Sequence, residues 1–98
     1  MIILSADNHG SHIDVAVVVS LEDLATKDAP YIVRFDLDWE GDFYGRRIPQ
    51  DIEGADRELI VAWSREVMRT TPAQLLADVA ALTNQHKQPA TRDQEGTG

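Results

Sequence analysis

The feature that most constrains this chain is the alternation from Tyr31 to Trp39. Tyr31, Val33, Phe35, Leu37 and Trp39 alternate with Ile32, Arg34, Asp36 and Asp38, the period of a strand with one buried face. Glu40-Gly41-Asp42 breaks the pattern, and Phe43 to Ile48 carries the chain back. Gly41-Asp42 suits a two-residue type II′ turn, because glycine accepts positive φ at the first central position. That turn sets Trp39 opposite Tyr44, Phe35 opposite Ile48 and Asp36 opposite Arg47, with Leu37 facing Arg46 as the misfit. A three-residue turn gives Asp36–Arg46 instead, at the cost of placing Arg47 opposite Phe35. A β-hairpin is predicted in either register.

The remaining elements follow from the same periodicities. Met1 to Ala6 reads as a short strand and Asp7 to His12 as a polar loop with Asn8 and Gly10 as turn formers. Ile13 to Ser20 is a second strand whose two faces are both partly apolar, which predicts a central position. Ser20-Leu21-Glu22-Asp23 has the form of a helix-starting cap, and Pro30 closes whatever turn follows it. Leu59, Ile60, Trp63 and Val67 lie on one helical stripe within Arg57 to Arg69. Thr71-Pro72-Ala73-Gln74 then opens a second helix with Leu75, Leu76, Val79, Ala80 and Leu82 on its apolar side. Strand order is not fixed by these patterns.

Ninety-eight residues make one domain. The spacing predicts an α+β fold over residues 1–83: a small antiparallel sheet of about four strands with a C-terminal pair of helices packed on one face. The expected core is Ile13, Val15, Val17, Val19, Val33, Phe35, Leu37 and Trp39 from the sheet, met by Leu59, Ile60, Trp63, Val67, Leu76 and Val79. Residues 84–98 carry no large apolar side chain and are expected to form a disordered polar tail.

Charge narrows the partners. Seventeen acids stand against nine lysines and arginines, a formal net charge of −8. Residues 1–54 hold eleven of the acids and only four of the bases, so the acidity belongs to the strand half. Such a field repels nucleic acid and anionic lipid and steers a basic protein partner. With no cysteine, disulfides and thiolate metal sites are excluded. The longest apolar runs, Val15 to Val19 and Leu59 to Trp63, are too short to span a bilayer, and the start lacks the basic region of a signal peptide. A cytoplasmic location is expected.

One stretch carries chemistry. Asp7, His9, His12 and Asp14 place two imidazoles and two carboxylates within eight residues, a donor set that can gather a divalent metal. The alternative is a polar turn with solvated histidines. The start MIILSADNHG also resembles the first motif of the calcineurin-like metallophosphoesterases, a strand followed by Asp-x-His-Gly. That resemblance implies metal binding by Asp7 and His9 and a hydrolase-like or accessory role. The family's later motifs, Gly-Asp-x-x-Asp, Gly-Asn-His and Gly-His-x-His, have no counterpart here. No serine stands in a Gly-x-Ser-x-Gly context and the six glycines are scattered, so neither a nucleophile elbow nor a phosphate loop is indicated and no cofactor is implied.

The leading expectation is a non-enzymatic acidic interaction protein of the inhibitor type, similar in size and charge to immunity proteins, antitoxins and phage-encoded inhibitors. Its partner-binding residues are Asp36, Asp38, Trp39, Glu40, Asp42 and Tyr44, a band of carboxylates with two aromatics suited to anchoring an interface. A further reading is a subunit of a larger assembly, including a homo-oligomer, that covers the second apolar face of Ile13–Ser20.

Overall fold

The computed structural model describes residues 1–20 and 30–82. The capped turn expected after Ser20 and the expected tail both lie outside those residues. Four strands, β1 (Ile2–Asn8), β2 (His12–Val18), β3 (Tyr31–Leu37) and β4 (Phe43–Arg47), are followed by α1 (Gly54–Val67) and α2 (72–82). The sheet is an antiparallel meander in the order β1-β2-β3-β4, which resolves the strand order that periodicity leaves open. The α+β architecture is as expected.

The core forms on one face of the sheet. Ile13, Val15, Val17, Val33 and Phe35 are fully buried and pack with Ile60, Val67, Leu75 and Val79 of the helices. Phe35 is the hub, with ring centroids 5.6 Å from Phe43 and 5.6 Å from Trp63, the latter edge-on. In β1 the expected alternation is broken by a bulge at Leu4, between Ile3↔Val17 and Ser5↔Ala16. One extra residue shifts the phase, so Ile3 and Ala6, three apart in sequence, both pack on the core.

The β3–β4 register departs from both expected forms. Asp36 lies opposite Gly45, Phe35 opposite Arg46 and Arg34 opposite Arg47, with a register shift at Tyr44 before Leu37↔Phe43. The reason is the turn. Gly41 donates its N–H to the Asp38 carbonyl and Asp38 donates to the Asp42 carbonyl, with Gly41 at φ +86°. This is a three-residue loop, a type I turn closed by a left-handed glycine, and the bulge at Tyr44 offsets the strands by one more residue. Trp39 and Tyr44 therefore do not pair. Trp39, expected in the core, stands 91% exposed on the turn.

Arg46 occupies a core-facing position on the edge strand, and its Nε is buried without a hydrogen-bond partner among the described residues. The misfit foreseen at this arginine is real, although the residue opposite is Phe35. Its aliphatic stem covers the rim of the core.

The helices begin where local chemistry allows. Helix α1 starts three residues earlier than its apolar stripe suggests, capped by Glu53 without a side-chain bond. The Arg57 guanidinium fastens this end by donating to the Pro49 carbonyl at 2.9 Å. Leu59, expected in the core, is 45% exposed, while Ile52, just before the helix, is buried. At α2 the expected cap is present: Gln74 N–H donates to Thr71 Oγ1 at 3.1 Å. The Gln74 side chain does not reach back but donates forward to Asp78.

Candidate functional site

Two turns lie at the same end of the sheet. His12 pairs with Asp36, and Leu37 N–H donates to the Ser11 carbonyl at 2.9 Å, so the β1–β2 turn abuts the base of the β3–β4 hairpin.

The β3–β4 turn is built on Asp38. One oxygen of its carboxylate accepts from the N–H groups of both Glu40 and Asp42, each at 2.9 Å. With the two backbone bonds across the turn, four hydrogen bonds fix five residues. Trp39 projects from this fixed turn, and Tyr44 beside it is 66% exposed. Glu40 and Asp42 are exposed and, among the described residues, have no ion-pair partner.

The carboxylates expected to form one acidic band are thus divided. Asp36 is paired with Arg47 at 3.3 Å, a contact foreseen from sequence but reached diagonally, since Asp36 faces Gly45 in register. Asp14 is held by Arg34, its partner across β2–β3, through Nε–Oδ1 at 2.9 Å and Nη2–Oδ2 at 3.3 Å. Asp38 serves its own turn. The carboxylates left for a partner are Glu40 and Asp42.

The β1–β2 turn gathers three of the four candidate metal ligands. His9 N–H donates to the His12 carbonyl at 2.9 Å, and Asn8 Oδ1 accepts from Gly10 N–H at 2.9 Å. Gly10 has φ +90° and Ser11 does not share the positive sign, the pattern of a two-residue type II′ turn. The turn expected at Gly41-Asp42 occurs here instead. Because β2 already begins at His12, register places Asp7 opposite Asp14 and puts residues 7, 9, 12 and 14 on one face. His9 Nε2 lies 3.6 Å and His12 Nε2 3.8 Å from Asp14 Oδ2, and the two rings are 4.9 Å apart. One donor atom from each of His9, His12 and Asp14 falls within 4.8 Å of the others. Asp7 is exposed and outside that group.

Arg34 is the site residue whose partner sequence reading missed. Its partner is twenty positions away in the chain, so only the β2–β3 register, which the patterns leave undetermined, could have revealed it. Its hydrogen bond holds the Asp14 carboxyl below the ordinary carboxylate range, against the opposing effect of burial, and its positive charge and those of His12 and His9 when protonated act in the same direction. A carboxyl lowered on folding stabilises the native state above its unfolded pKa of about 3.9 and loses that contribution as pH falls through the folded value. In chelator-treated protein, the urea midpoint of wild type is therefore expected to fall more steeply than that of Asp14→Asn below about pH 4. Parallel profiles would show that the Asp14–Arg34 bond contributes nothing to acid stability.

No known family, curated protein or solved structure matches this chain.

Proposed function

We propose that this chain is a non-enzymatic, acidic binding protein of the inhibitor type that docks the tip of its β3–β4 hairpin onto a basic surface of another protein. The observation that carries the reading is Trp39, 91% exposed on a turn whose backbone is fixed by Asp38. Burying a large aromatic ring in a partner's pocket recovers apolar area that folding leaves in water. Because the turn is already ordered, little backbone freedom is lost on docking. Tyr44 adds a second amphipathic ring, and Glu40 and Asp42 flank the tryptophan with negative charge, which supplies steering toward a basic partner. The reading includes the cytoplasmic location expected from the sequence. Among the described residues no helix is long and apolar enough to cross a membrane.

The test is affinity capture from the native host at low and moderate salt, with wild type and Glu40→Lys/Asp42→Lys as baits. Both positions are exposed and their side chains hold no described bond, so the double variant should melt with wild type. Wild type is expected to retain a protein with a basic surface, and the charge-reversed bait to retain it at least tenfold less well. Equal retention by both baits would refute the electrostatic part of the proposal. Reversal at Asp36 or Asp38 would be a poorer test, since it also breaks the Arg47 pair or the turn itself.

A further inference from the structure

We infer that His9, His12 and Asp14 form a binding site for a divalent first-row transition metal, with zinc as the representative ion. Three observations converge on it. The donors are two imidazole nitrogens and one carboxylate oxygen, a set suited to borderline cations of the zinc, cobalt and nickel type. Their geometry is set by the backbone: a two-residue turn with glycine at positive φ brings His9 and His12 side by side, and Asp14 follows His12 on the same face.

The distances are the second point. His9 Nε2 and His12 Nε2 stand 3.6 and 3.8 Å from the same oxygen, Asp14 Oδ2. That is too long for a hydrogen bond. Two atoms each about 2.0–2.1 Å from one zinc ion at tetrahedral angles are about 3.3–3.4 Å apart. The three donor atoms all lie within 4.8 Å of one another, so rotation of side chains that are 50%, 20% and 19% exposed brings all three onto one ion.

The third point is the support behind the donors. Ser11 Oγ lies 3.0 Å from His12 Nδ1. When Nδ1 carries the proton and donates to that hydroxyl, Nε2 keeps its lone pair for a metal, which is how outer partners fix the tautomer of metal-binding histidines. Arg34 holds the Asp14 carboxylate through two hydrogen bonds and so fixes the direction of Oδ2. Its positive charge weakens cation binding, so a moderate affinity fits this arrangement better than the tight binding of a closed structural zinc site. Three protein donors leave at least one coordination position open. The site belongs to the polar face of the sheet and does not depend on the hairpin tip acting as a docking surface.

The experiment is titration of the chelator-treated full chain with Zn²⁺ near pH 7.5 by calorimetry, together with Co²⁺ absorption and thermal melts with and without Zn²⁺. Wild type is expected to bind one Zn²⁺ per chain, to show cobalt d–d bands, and to melt higher as Zn²⁺ is raised. His9→Ala and His12→Gln should each bind at least tenfold more weakly, and Ser11→Ala about tenfold more weakly, while their far-UV spectra without metal match wild type. Glu40→Gln/Asp42→Asn and His86→Ala should bind as wild type does, which separates this site from the carboxylates of the neighbouring tip and from the remaining histidine. Mg²⁺ should not compete, since imidazole donors favour softer ions. The inference is overturned if wild type shows no saturable one-to-one binding, if His9→Ala and His12→Gln bind as tightly as wild type, or if either control variant abolishes binding.

Discussion

Phe35→Ala is expected to destabilise the domain by about 3–5 kcal/mol, the range for truncating a fully buried aromatic. The ring is 0% exposed and lies between Phe43 and Trp63. Its neighbours across the strands are Ile13 on one side and Arg46 on the other. Removing it opens a cavity where three strands and α1 meet. Domains of this size have total stabilities on the order of 5–15 kcal/mol, so the loss takes a large share and the variant should unfold at far lower urea. Leu59→Ala is the matched control. At 45% exposure it should cost about 1 kcal/mol or less. Urea denaturation of both variants checks the assignment, and a Leu59→Ala loss equal to that of Phe35→Ala would mean that the helix presents a different face to the sheet.

That pair of residues also shows what the sequence could reveal and what it could not. Period-2 alternation located Phe35 in the core because each strand position is constrained by its immediate neighbours. Helical spacing alone placed Leu59 with Ile60, but two adjacent residues on a helix point about 100° apart, and only one of them can face the sheet squarely. The β3–β4 register was not legible, because a two-residue and a three-residue turn around Gly41 differ by a single hydrogen-bonding choice. The structure shows Asp38 making that choice with its carboxylate. The bulges at Leu4 and Tyr44 were invisible for the same reason: each is one residue of phase, fixed by packing rather than by local preference.

The candidate sites were legible in composition and not in arrangement. The histidine stretch was conspicuous from its residue types, yet its convergence depends on β2 beginning at His12 rather than at Ile13, a shift of one residue. Trp39 was read both as the end of the core face, because it continues the apolar phase of β3, and as an interface anchor near the hairpin tip. Asp38 ends that phase by folding the backbone over itself, and the tryptophan that follows is left in solvent. The carboxylate band was overstated because Arg47 comes to Asp36 from across the sheet and Asp38 is taken up by its own turn.

The second large effect expected is on binding. Trp39→Ala should weaken partner binding by at least about 30-fold, the effect of removing a hot-spot aromatic worth about 2 kcal/mol. The melting temperature should stay within about 2 °C of wild type, because a side chain this exposed contributes little to folding. Trp39→Phe keeps a ring at the same place and should retain most of the affinity. The decisive measurement for docking at the hairpin tip is therefore the dissociation constant of the captured partner for wild type, Trp39→Ala and Trp39→Phe, taken beside their melting curves. A loss of about 30-fold or more is expected for alanine, with near-wild-type binding for phenylalanine and three superimposable melts. Alanine binding within about threefold of wild type, a difference under about 1 kcal/mol, would contradict that expectation and show that the hairpin tip is not the docking surface.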